Sequence, residues 1–145
     1  MNGDFTKAQT LFLQGYNCAQ SVFAANATRF GIGEADALKI SAGLGGGVGR
    51  LREVCGAFSA CAMLAGLSKN ADHADKEKKE ALYIFVQHLA DDFKKRNGSI
   101  ICRELLDIAK DSPTPPTPDP RTAQYYASRP CLKIVGEADK IAMSI

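Results

Sequence analysis

Five residues of this 145-residue chain carry side chains that can attack a disulfide or bind a soft metal: Cys18, Cys55, Cys61, Cys102 and Cys131. The thiolate does both jobs, so the chemistry depends on what lowers a thiol pKa. The start of a helix does so, through unpaired N–H groups and about half a positive charge. Cys18, Cys102 and Cys131 each fall in the predicted first turn of a helix, and Cys55 lies near the start of another, just after a glycine-rich run. Cys18 shares a helical stripe with Val22 and Ala25, Cys55 with Phe58, Ala62 and Ala65, and Cys131 with Val135 and Ala138. These stripes turn several sulfurs inward, toward a place where helix N-termini converge. Cys61 differs: it sits mid-helix, about 120° around the axis from Cys55, and reads as core packing.

Taken singly, a free cysteine behaves as a small buried hydrophobe and needs no function. The four remaining cysteines are separated by 37, 47 and 29 residues. No Cys-x-x-Cys pair is present, so neither a zinc ribbon nor a thioredoxin-like site is signalled, and no Cys-x-x-Cys-His attaches a c-type haem. Four isolated cysteines make one site only if a prefolded scaffold brings them together.

The run Gly43-Leu44-Gly45-Gly46-Gly47-Val48-Gly49 invites a phosphate-binding reading. It fails in detail. No Gly-Lys-Ser/Thr follows, and a Gly-x-Gly-x-x-Gly register ends on Val48 when started at Gly43 and on Arg50 when started at Gly45. Two readings remain. One is a tight turn that lets helices approach. The other is a backbone N–H nest beside Cys55, in which the Gly46 and Gly47 amides, with Arg50 and Arg52, stabilise negative sulfur or a cofactor; a solvated arginine is the default for both cations. His73 and His88 share no ligand-like spacing and read as surface residues, as does the charged run Asp75–Glu80. No Ser/His/Asp constellation can be picked out.

Composition sets the frame. The chain is 46% hydrophobic and 23% charged, ordinary for one globular domain over residues 1–145. Eighteen basic against sixteen acidic residues leave a net charge of +2, too little to predict nucleic-acid or membrane-surface binding. Five cysteines are far too few for a disulfide scaffold, and their odd number forbids complete internal pairing. The start lacks a basic region and a long apolar stretch, and Val54–Leu67 is too short to span a bilayer. A cytoplasmic protein with reduced thiols is expected.

The elements that must position the cysteines are all helical. Asp4 is a candidate cap for a helix through about Leu13; Asn17 for one running toward Phe30, with Gly31 just past its end. Further helices are predicted over about Glu34–Ala42, Glu53–Leu67 and Asp72–Arg96. The last of these shows an apolar stripe of Leu82, Phe85, Val86, Leu89 and Phe93, and ends at Asn97-Gly98. Ser99 is a candidate cap for a helix holding Cys102 in its first turn. All six prolines lie at or beyond Pro113, and residues 111–120 read as an extended segment crossing the bundle to return Cys131 to the core. A final helix begins near Pro130. The expected architecture is an all-α bundle of about seven helices.

Several segments carry a resemblance: Gly15-Tyr16-Asn17-Cys18-Ala19-Gln20-Ser21-Val22, the Gly45–Arg50 loop, Val54-Cys55-Gly56-Ala57, Ser99-Ile100-Ile101-Cys102-Arg103-Glu104-Leu105-Leu106, and Pro130-Cys131. Together they resemble the C_GCAxxG_C_C family of redox-active proteins, over nearly the whole chain. The resemblance implies that Cys18, Cys55, Cys102 and Cys131 are the four family cysteines and leaves Cys61 outside the set. It also implies similarity to part of the split-Soret cytochromes, which carry an iron–sulfur cluster besides their haems; only the cluster carries over here. The family's Cys-Gly-Ala-x-x-Gly ends in Ala60 in this chain. If that glycine admits a cofactor, Ala60 makes the approach tighter.

Three expectations follow. The first is a small redox protein in which Cys18, Cys55, Cys102 and Cys131 ligate an iron–sulfur cluster, with the glycine-loop amides and Arg50 stabilising its negative charge, for electron transfer to a redox partner protein or for redox sensing. The second is an oxidoreductase without metal, in which Cys18 attacks and a neighbour such as Cys55 resolves. The third is a helical interaction module with structural cysteines, one half of a homo-oligomer or a partner-binding unit.

Overall fold

The computed structural model describes residues 4–145. Eight α-helices follow one another: α1 Lys7–Leu13, α2 Cys18–Ala27, α3 Glu34–Ser41, α4 Gly56–Ser68, α5 Lys76–Asn97, α6 Cys102–Leu105, α7 Ala123–Ser128 and α8 Cys131–Met143. Among the described residues there is no strand, only an isolated antiparallel bridge between Val54 and Ile101. The all-α expectation holds, with one helix more than predicted. The addition is α7, six residues capped by Thr122. It is too short to show a period, and it lies between Pro120 and Pro130.

Local chemistry fixes most boundaries. Asn17 accepts from the Gln20 N–H while the Gln20 side chain accepts from the Asn17 N–H, a reciprocal capping box. For α1 the cap is Thr6, not Asp4, because Thr6 and Gln9 complete the same reciprocal pair. α2 tightens into a 3-10 turn over Thr28–Phe30, and Gly31 ends it at φ 87°. Gly98 closes α5 at φ 101°, a left-handed conformation that only glycine adopts without cost. α4 begins at Gly56 rather than Glu53: Arg52 has φ 64°, and Val54 is engaged in its bridge to Ile101, so the chain stays non-helical up to Cys55. α5 starts at Lys76 behind an Asp75 cap. Ser99 lies two residues before the N-cap of α6, Ile101, accepts its N–H at 3.0 Å and donates to Glu104 at 2.6 Å.

α2 is the central element and packs against α1, α3, α4 and α8. Its Ala19, Ala24 and Ala27 are fully buried, and these small side chains let neighbouring backbones come close. α4 adds Ala57, Phe58, Leu64 and Ala65; α8 adds Ile134, Val135, Ala138, Ile141 and Ala142. From α5 only Leu89 and Phe93 are buried; Leu82, Phe85 and Val86 of its stripe are half-buried at the margin. One buried polar network ties the ends of the chain together. Asp139 of α8 accepts from the Ala8 N–H at 3.0 Å and from the Asn26 amide at 2.7 Å. Arg29 then donates to Asn26 and to the Ala142 carbonyl.

Candidate functional site

Cys18, Cys102 and Cys131 are the first residues of α2, α6 and α8, and Cys55 is the N-cap of α4. The four helix starts converge, and all four cysteines line a single cavity of about 430 Å3. Each is placed by a different device. The Asn17 cap fixes the entry to α2, and its amide also donates to the Ala42 carbonyl at 2.9 Å. Cys55 and Cys102 are joined through their backbones across the Val54–Ile101 bridge: the Cys55 N–H donates to the Ile100 carbonyl at 2.7 Å and the Cys102 N–H to the Glu53 carbonyl at 2.6 Å. Pro130, expected as a first helical residue, is instead the N-cap that turns the chain into α8 at Cys131. Pro116 and Pro118 border the cavity, so the proline segment does cross over the site.

The glycine loop coils left-handed. Gly46, Gly47, Val48, Gly49 and Arg50 all have φ between 55° and 74°. The coil is held by N–H donation from Gly49 to Gly43, from Arg52 to Gly46 and from Glu53 to Gly47. For an L-residue this conformation costs about 1–2 kcal/mol, and for β-branched Val48 it is a genuine outlier. The strain accompanies function-like placement: Arg50 and Arg52 both reach the cavity while Leu51 between them is exposed. One amide of the loop, that of Gly46, serves Cys18, and none of the loop serves the expected Cys55. The Gly46 N–H, with those of Ala19 and Ala57, supports a negative Cys18 sulfur. Gly47 does not line the cavity; a side chain there would strike Cys102 Cβ and the Glu53 backbone, so its role is close packing.

The sulfurs are electrostatically unequal. The Cys55 thiol faces Cys18 and lowers its pKa from 9.0 to about 6, against the opposing effect of burial. Cys55, which keeps its proton for that interaction and is itself buried, is pushed well above the ordinary value. Burial and then the Cys18 charge raise Cys131 to about 11. Burial raises Cys102 also, countered by Arg52, whose Nη1 lies 3.7 Å from Cys102 Sγ. The site therefore stabilises one thiolate and holds three thiols beside it.

Positive charge dominates the walls. The guanidiniums of Arg50, Arg52, Arg121 and Arg129 border the cavity against a single carboxylate, Asp119. Arg52 is not solvated as expected but buried, with 7% exposure. Arg121 donates to the Phe12 carbonyl at 2.6 Å and the Tyr16 carbonyl at 2.8 Å and stacks on the Phe12 ring, fixing the proline segment to the end of α1. Asp119, Arg121 and Arg129 were not legible as site residues; the one available signal was that Arg129 stands two residues before Cys131.

Cys61 lies apart from this cavity. It is fully buried, directs its thiol to the Ala138 carbonyl at 3.5 Å, and burial pushes its pKa up to about 12. Ala60 is fully buried in the core and does not border the cavity, so its methyl group does not narrow the space between the four cysteines. His73 and His88 are exposed on the surface.

Could this donor set hold a metal group? Among the described residues no three Cys, His, Asp or Glu side chains stand close enough together for one metal ion. A preformed mononuclear site is therefore a poor fit. An iron–sulfur cluster would take its thiolates from around a volume, and the residues that could supply them are the four cysteines that border one cationic cavity.

A family profile described as "putative redox-active protein (C_GCAxxG_C_C)" matches residues 16–145. The chain belongs to that family. No curated protein and no solved structure matches it. No helix among the described residues is long and apolar enough to cross a membrane.

Proposed function

We propose that this protein is a one-electron carrier or redox sensor in which Cys18, Cys55, Cys102 and Cys131 hold an iron–sulfur cluster. The observation that carries the reading is the gathering of these four cysteines, and not Cys61, around one cavity whose walls hold four guanidiniums and one carboxylate. A cluster bound by four thiolates is anionic, and it would supply one-electron storage at a potential set by that surrounding charge. The protein's own groups do the rest. The amides of Gly46, Ala19 and Ala57 support the first thiolate, Cys18. Arg52 lowers the cost of ionising Cys102, and Arg129 that of Cys131. The apolar wall of Phe12, Leu105 and Ile134 limits water. Such a carrier works in the reducing cytoplasm and serves a redox partner protein. The experiment is anaerobic purification followed by iron and acid-labile sulfide analysis. Stoichiometric amounts of both support the reading; a colourless protein with neither, even after reconstitution, removes it.

A second reading, a dithiol/disulfide oxidoreductase without metal, is favoured by the facing pair Cys18 and Cys55. A Cys18 thiolate at about pKa 6 attacks a substrate disulfide, expelling one thiolate, and Cys55 then displaces the second while forming the Cys18–Cys55 disulfide. Two electrons pass from the dithiol to the substrate, which leaves as two thiols. Mild oxidation of the metal-free protein then lowers the free-thiol count from five to three; a count that stays at five excludes it.

A further inference from the structure

The proline segment has few attachments over the cavity. Between Ser112 and Arg121 the polar side-chain contacts, among the described residues, come from Asp119 alone. One oxygen of that carboxylate, Oδ2, serves two cations: Arg129 Nη2 at 2.7 Å and Arg50 Nη1 at 3.6 Å. The guanidiniums are still under-supplied. Arg50 Nε is buried without a hydrogen-bond partner. Buried Arg52 has no carboxylate within ion-pairing distance among the described residues, and its side chain's one hydrogen bond goes to a thiol. A buried, unpaired guanidinium is costly, and strained backbone at Arg50 and Arg52 adds to that cost.

We propose that Arg50, Arg52 and Arg129 form an anion subsite of the cysteine cavity, shut by the protein's own Asp119, and that a small organic carboxylate enters by displacing Asp119 and lifting the proline segment. The occupant's carboxylate replaces the one already seated there and reaches the guanidinium donors that Asp119 leaves unpaired. The walls favour an organic part: Phe12, Leu105, Leu106, Tyr125 and Ile134 surround the rest of the space. At about 430 Å3 the cavity of the metal-free protein is within the range of about 300–1,000 Å3 common for small-molecule sites, and the organic acid and the proposed cluster are alternative occupants of that space. Asp119 is suited to give way, since its side chain is 37% exposed and its segment belongs to no helix.

The test is isothermal titration of the purified, metal-free full chain with benzoate and with benzamide, a near-isostere without the charge, using wild type, Asp119→Asn and Arg129→Gln. Saturable benzoate binding at least about tenfold tighter than benzamide is expected, from the charge-assisted hydrogen bonds that only the anion makes. Asp119→Asn removes the internal competitor and strengthens benzoate binding; Arg129→Gln weakens it about tenfold. Equal affinities for the two probes, no change in Asp119→Asn, or no saturable benzoate binding to wild type and Asp119→Asn would overturn the subsite. Iron and sulfide are assayed on the same preparations after reconstitution, separately from the titration of the metal-free protein, so failure of the subsite and failure of the cluster reading are separate results.

Discussion

Arg52 and Cys102 are separated by fifty positions in the chain and meet in the cavity, with Nη1 of the arginine 3.7 Å from the cysteine sulfur. The pairing sets a buried cation against a thiol rather than a carboxylate. It makes sense if the thiol is called on to become negative, and it sits among three other thiols of which only Cys18 favours its charged form.

The first prediction concerns that charge. In the metal-free protein, alkylation of Cys18 by iodoacetamide should show a midpoint near pH 6 rather than 9.0. Cys55→Ala removes the facing donor and moves the midpoint up; Cys55→Ser keeps a hydroxyl donor and largely preserves it. The linkage has a definite sign. Because the folded pKa is depressed, Cys18 contributes nothing below about pH 6 and progressively stabilises the fold as pH rises toward 9.0, since the unfolded chain then binds more protons. Urea unfolding of wild type and Cys18→Ala between pH 6 and 8.5 reads this. A difference that shrinks with rising pH contradicts it.

Gly56 is the second. An added Cβ would lie 2.7 Å from the Leu44 carbonyl oxygen and 2.9 Å from both Ala19 Cβ and Cys18 Sγ. Backbone blocks one side, so Gly56→Ala should destabilise by about 1–3 kcal/mol and raise the Cys18 midpoint by separating α2 from α4. Gly66, in the same helix, faces open space, and Gly66→Ala should stabilise by about 0.5–1 kcal/mol. Denaturant midpoints of the two variants moving in the same direction would refute the packing argument.

The third prediction tests the network that anchors α8. Asp139→Ala leaves the Ala8 N–H and the Asn26 amide without their acceptor inside the core. Unsatisfied buried donors cost about 1–3 kcal/mol each, so a loss of about 2–4 kcal/mol is expected in equilibrium unfolding. A loss below about 0.5 kcal/mol would show that the network carries little.

How much of this was legible in the sequence follows from what each feature depends on. Asn17, Gly31 and Gly98 announce themselves because capping and left-handed termination are decided within a few residues. The position of the cysteines at helix starts was readable for the same reason. The Val54–Ile101 bridge was not: it joins two lone apolar residues far apart in sequence, with no alternating pattern around either. That bridge also displaced the predicted start of α4 from Glu53 to Gly56. Helix α7 is too short for periodicity to register. Half of the cationic wall was readable, because Arg50 and Arg52 directly follow the glycine loop, although only the left-handed coil at 46–50, with Arg52 in the same conformation, turns them inward rather than to solvent. Arg121 and Arg129 stayed hidden because nothing near them in the sequence, beyond the closeness of Arg129 to Cys131, marks a site. Asp119 belongs to a segment whose prolines predict extension but say nothing about what it covers.

The most direct test of the central claim is iron and sulfide content after anaerobic reconstitution of wild type and five single variants, Cys18→Ala, Cys55→Ala, Cys61→Ala, Cys102→Ala and Cys131→Ala. The account predicts that wild type and Cys61→Ala bind both elements with a cluster absorption spectrum, and that each of the other four loses or strongly weakens that binding. Cluster retained at full occupancy without Cys102 or Cys131, or lost equally in Cys61→Ala, would contradict a single site built from the four cavity cysteines.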